Sequence, residues 1–259
     1  MRKLLLRIAI VAGALLVAVG AAATDAALVK VGKLVLRADG SFLPSILPKQ
    51  AYSPITLKGH VNVSSVDHGV PPAVTDVELD FGHNGKLQTL GLPTCPPEKL
   101  AGTTPGQARK RCKGAIVATG NVEALVQRPG EPRVPIRTPV TVFNGPPEGG
   151  NPTVVFHTYT WFPESETFVV SAPVKRERKG PIAFHVDIAI PPIAGGYGAI
   201  THGDIRIGRR YTYKGREMAY TSAHCPDGLL EAHGRVTFDN GVVIEGTIFK
   251  PCSADPPRP

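Results

Sequence analysis

Aromatic residues are scarce, at 6% of the chain with Trp161 the only tryptophan. This weakens the case for a carbohydrate module built on stacked rings. Long apolar patterns with a 3.6-residue period are missing, which excludes a helical bundle. There is no G-x-S-x-G elbow, no H-E-x-x-H pair and no Walker loop, so the common serine hydrolase, zinc protease and nucleotide-binding frameworks have no foothold. No dense acidic loop of the EF-hand kind occurs. No two cysteines stand in C-x-x-C spacing, so neither a zinc ribbon nor a dithiol redox motif is supported. No cofactor is expected.

What is present begins at the N-terminus. Arg2, Lys3 and Arg7 precede an uncharged apolar run from Ile8 to Ala23. Small residues at Ala21 and Ala23 fit signal peptidase, so cleavage before Thr24 is expected. The run is 16 residues, short of the roughly 20 that a spanning helix needs. No later apolar stretch approaches that length, and no transmembrane segment is expected after cleavage. Three of the 29 Lys and Arg leave with the leader, and none of the 21 Asp and Glu does. The remaining 26 against 21 is too small a surplus to argue for nucleic acid, though it favours weak adhesion to anionic surfaces.

Four cysteines, at 95, 112, 225 and 252, read as two disulfides in an exported chain, with three connectivities possible. Cys95–Cys112 and Cys225–Cys252 are the expected pairs because both close local loops. Each would stabilise by about 3 kcal/mol on the loop-entropy estimate.

Gly and Pro make up about a fifth of the chain, at 28 and 26 residues, and between them lie short alternating β-branched runs. This pattern predicts many short strands joined by turns. Expected strands are 28–37, 55–66, 74–81, 115–126, 134–143, 153–162, 167–174, 182–190, 204–207, 210–213, 216–223, 229–238 and 242–250. Asn240-Gly241, Asn84-Gly85 and Lys214-Gly215 are the expected hairpin turns. Thr104-Pro105 reads as a helix N-cap and first helical residue, predicting a short helix inside the first disulfide loop, lying over a sheet edge. Residues 127–135 and 144–152 read as linkers, with a possible subdomain boundary near 127–135. The expected fold is all-β: an antiparallel β-sandwich over 24–252, or two small sandwich subdomains, with a Pro-rich disordered tail from Ser253 to Pro259.

The stretch Gly91-Leu-Pro-Thr-Cys95 up to Cys112, with Cys225-Pro-Asp-Gly228 ahead of Phe238-Asp-Asn-Gly241 and Cys252, resembles exported β-rich proteins of high-GC actinobacteria that have no assigned activity. The shared residues are cysteines and turns, so the resemblance implies a fold and no chemistry.

Four constellations are candidates. His185 and Asp187 lie two apart on one strand face, as do His202 and Asp204; were the strands to pair, these four could hold a transition metal or act as acid and base. Asp76, Glu78 and Asp80 form an acidic ladder, expected to face Lys58 and His60 across a strand pair; the sharper reading is a glycosidase carboxylate pair. Tyr159 and Trp161 share a face and offer a sugar-stacking platform. Basic clusters occur at Arg109–Lys113, at Lys175, Arg176, Arg178 and Lys179, and from Arg206 to Arg216, suited to anionic cell-wall polymers. The glycine cluster Gly195–Gly198 reads as a loop. The expected function is a non-enzymatic exported protein with a structural or binding role at the cell envelope; the alternatives are a hydrolase or metal-dependent enzyme and a carbohydrate-binding module.

Overall fold

A computed structural model describes residues 26–177 and 179–254; the expected leader and residues 255–259 lie outside them. Twelve strands form one sheet: β1 Ala26–Val31, β2 Leu34–Leu43, β3 Thr56–Ser65, β4 Val74–Gly82, β5 Ile116–Val126, β6 Val134–Glu148, β7 Asn151–Thr160, β8 Glu166–Arg176, β9 Ile182–Ala189, β10 Gly198–Ile207, β11 Leu229–Phe238 and β12 Val243–Pro251. Every ladder in it is antiparallel. The sheet curls until β12 meets β1, where the Cβ position of Gly246 lies 3.7 Å from Ala27 Cβ. The all-β, antiparallel expectation holds. The two-layer sandwich does not: the sheet is a single, nearly closed barrel.

The strand order is β1-β2-β3-β10-β5-β6-β7-β8-β9-β4-β11-β12. A simple up-and-down meander would run in sequence; here β4 and β10 have exchanged places. Two consequences follow from the exchange. The β3–β4 and β9–β10 connections must both cross one mouth of the barrel, and the β4–β5 and β10–β11 connections must both cross the other. The second mouth is closed by a small antiparallel sheet in which Thr221–Ala223 pairs with both Gly85–Leu87 and Ser53–Pro54. Residues 127–135 are a turn between paired neighbours, with Val126 opposite Val134, so they divide nothing. Residues 144–152 belong mostly to β6 and β7.

Alternation places Val77 and Leu79 of β4, Val186 and Ile188 of β9, and Val154 and Phe156 of β7 in one continuous interior. Towards the first mouth, Leu34, Leu36, Val63, Val74, Phe238 and Ile244 complete it. Complete burial of a side chain the size of Phe238 contributes about 2–3 kcal/mol.

Both disulfides form as expected, with Cα separations of 5.8 Å for Cys95–Cys112 and 6.0 Å for Cys225–Cys252. Helix α1 spans Pro105–Arg111, capped by the Thr104 hydroxyl and Gln107 in a reciprocal box. It does not lie over an edge. With Cys95, Leu100, Ala108 and Cys112 it covers Phe143 and Val155 on the outer face of β6 and β7, which keeps that face dry. His157 lies here too, fully buried, its Nε2 within 3.0 Å of both the hydroxyl and carbonyl oxygens of Thr103.

Three further expectations change. Residues 28–37 are two strands, because Gly32, at φ 59°, turns the chain between β1 and β2. Asn84-Gly85 joins β4 to a strand paired elsewhere, so it makes no hairpin. Ser253 and Ala254 pair in parallel with Ile46 and Leu47, so the tail does not begin at Ser253. Lys214-Gly215 does make a hairpin, with φ of 49° and 73°; two left-handed residues suit the twist of the paired strands.

Candidate functional site

Because every strand alternates direction, each connection belongs to one mouth. The segments that follow β4, β8 and β10 and precede β5, β9 and β11 all lie at the second. The three basic clusters sit in or beside these segments, so the barrel gathers at one end what the sequence scatters. Arg209 ties two of them together: its Nη1 donates to the carbonyl oxygens of Lys113, at 3.4 Å, and Ile116, at 3.3 Å. In the same region Arg111 Nη1 donates to the Lys99 carbonyl, at 3.2 Å. Arg109, Lys110, Lys113, Arg206, Arg210 and Arg216 are exposed, and none enters an ion pair among the described residues. Arg176 and Lys179 are exposed at the same end, where the Gly180 carbonyl meets His83 Nε2 at 2.9 Å. Arg178 lies outside the described residues.

The proposed metal quartet does not assemble. β9 pairs with β8 and β4, and β10 with β3 and β5, so strands β5 to β8 stand between the two His/Asp pairs. His202 instead meets Asn62 at 2.8 Å and Asp204 at 3.8 Å. Among the described residues no three His, Cys, Asp or Glu side chains converge in a metal-binding arrangement.

The acidic ladder has different neighbours from those expected. Lys58 and His60 face β2 and β10. Asp80 stands in register between His185 of β9 and His233 of β11. His185 Nδ1 lies 2.7 Å from one Asp80 oxygen and His233 Nδ1 lies 3.5 Å from the other. Two residues on, Asp187, Glu78 and Arg235 make the next row. Asp76 is pushed up to about 6 by burial first, then by hydrogen bonding to Asp187 and by the Asp187 and Glu78 charges, with His185 opposing. His233 was invisible locally because its partner lies 153 residues away; the alternating Asp76, Glu78 and Asp80 were the legible half.

Tyr159 and Trp161 stand with ring centroids 6.4 Å apart at 41°. Trp161 is 61% exposed and Tyr159 is half-buried, so the rings do not enter the core.

No family model, curated protein or solved structure matches the chain.

Proposed function

We propose that this is an exported, non-enzymatic binding protein that engages anionic polymers of the cell envelope through the basic end of its barrel. The observation that carries the reading is the docking of Arg209 onto the Lys113 and Ile116 carbonyls. It makes one surface of two basic segments about a hundred residues apart. Point charges spread over a rigid, wide surface suit a flexible polyanion, which binds through many weak, salt-sensitive contacts. Two disulfides fit an oxidising compartment, and no helix among the described residues is long and apolar enough to cross a membrane.

Co-sedimentation with purified anionic cell-wall polymer at increasing salt tests this. Binding should weaken steeply as salt rises, and the double variant R109E/R210E should lose it. Retention by that variant would refute the reading.

The enzyme alternative draws on the Asp76–Asp187 pair and the Asp80 carboxylate between two imidazoles. That face is the outside of a sheet, and the two clefts beside the opposite mouth are lined by other residues, which favours the binding role. Tyr159 and Trp161 keep the carbohydrate alternative open to the same sedimentation assay with neutral glycan.

A further inference from the structure

The mouth opposite the basic end is crossed by two straps, residues 66–73 between β3 and β4 and residues 190–197 between β9 and β10. A cleft of about 370 Å³ opens beside them, continuous with a narrower chamber of about 140 Å³. The two share Ala73, Gly196, Gly198 and Asp239. The inner chamber is walled by Val74, Ile190, Pro192, Ile193 and Ile200. The outer cleft carries Arg128, Asp239 and the exposed ring of Tyr197.

We propose that this cleft binds a free amino acid with an apolar side chain. The inner walls are mostly aliphatic, with Thr75 and the shared Asp239 as the polar groups, and a chamber near 150 Å³ accepts a group about the size of a benzene ring. The outer cleft presents one cation and one anion. Neither the Arg128 guanidinium nor the Asp239 carboxylate has a side-chain partner among the described residues, so a ligand would meet both unspent. A zwitterion answers both charges; a simple anion would leave Asp239 opposed, and a simple cation Arg128. Barrel mouths with apolar walls and a few placed polar groups are common small-molecule sites.

The cleft is also held in shape before any ligand arrives. Arg133 Nη1 donates to the His68 carbonyl, tying the β5–β6 turn to one strap. The Gln127 amide donates to the Tyr197 carbonyl at 3.0 Å, tying it to the other. The Asp239 amide donates to the Ala73 carbonyl at 2.9 Å. Less ordering is then required on binding. The site is at the far end from the polymer surface and does not depend on it.

Titration of the intact folded protein with L-phenylalanine and L-leucine, followed by amide NMR shifts, tests the proposal. Saturable shifts are expected at Gly130, Gly196 and Gly198. R128Q and D239N should each weaken binding about tenfold or more, the scale of one lost charge-assisted hydrogen bond. Glycine, lacking a side chain, and N-acetyl-L-phenylalaninamide, lacking both charges, should bind at least about tenfold more weakly. Absence of saturable shifts at millimolar phenylalanine and leucine would overturn the proposal. So would equal binding of the uncharged analogue, or indifference to both variants.

Discussion

The Lys250 ammonium lies 2.7 Å from the Asp39 carboxylate and joins β12 to β2 across the seam where the sheet lacks a backbone ladder. Burial alone would raise the Asp39 pKa, but hydrogen bonds from Lys250 and the Gly40 amide, with the Lys250 and His60 charges, outweigh it and hold the group below its ordinary value. The contribution is therefore present above the unfolded carboxylate pKa, near 4, and is lost as pH falls through the lower folded value. K250M should cost about 1–3 kcal/mol in urea denaturation at pH 7, with the difference from the parent narrowing below pH 4. An unchanged midpoint at pH 7 would show that the seam needs no ionic closure.

His157 is buried against Thr103, and burial holds its pKa below the ordinary imidazole value despite hydrogen bonds that oppose it. The unfolded chain takes up this proton more readily, so stability falls as pH drops below about 6.5 towards the folded value. H157L removes the imidazole from Thr103, whose hydroxyl keeps the Leu100 carbonyl and whose carbonyl keeps the Thr167 hydroxyl, and should cost about 1–3 kcal/mol at pH 7.5. It should also flatten that part of the profile between pH 7 and 5.5, measured by chemical denaturation.

Asp76 behaves with the opposite sign. Its folded pKa is raised to about 6, so the stability associated with its proton is present below the unfolded value and is lost as pH rises through 6. D76N should stabilise the protein at pH 7.5 by about 1 kcal/mol, discounted for partial exposure. The gain should vanish near pH 4. Thermal melts at the two pH values decide it.

The Cys95–Cys112 bridge closes 17 residues around α1. C95S/C112S should lose about 3 kcal/mol. Because the loop also carries Arg109 and Lys110, the same variant should bind anionic polymer less well at a temperature where circular dichroism still reports a folded barrel. Full binding by the reduced, folded protein would separate the bridge from the surface.

Much of this architecture was legible residue by residue. The period-two runs at Val74, Ile182 and Leu229 gave strands whose apolar faces point inward. Thr104-Pro105 gave the helix, and loop length selected the disulfides. Alternation states which face a side chain occupies and is silent on which strand lies beside it. Asp80 therefore met His185 and His233 where Lys58 and His60 were expected, and the two His/Asp pairs fell on strands that never touch. The basic end was hidden for the same reason. Its clusters are distant in sequence; strand alternation brings them to one end, and the exchange of β4 and β10 seats Arg209 against Lys113 and Ile116.

That trade also governs how the chain can be assembled. A polypeptide halted after β5 holds β4 with neither of its ladder partners, and its β3 and β5 flank a gap that β10 has yet to fill. No amino-terminal portion that ends before β9 can complete the ladders of β4 during synthesis. Closure must wait for the last third of the chain, and a protein cut at any turn between β5 and β9 yields two pieces that need each other.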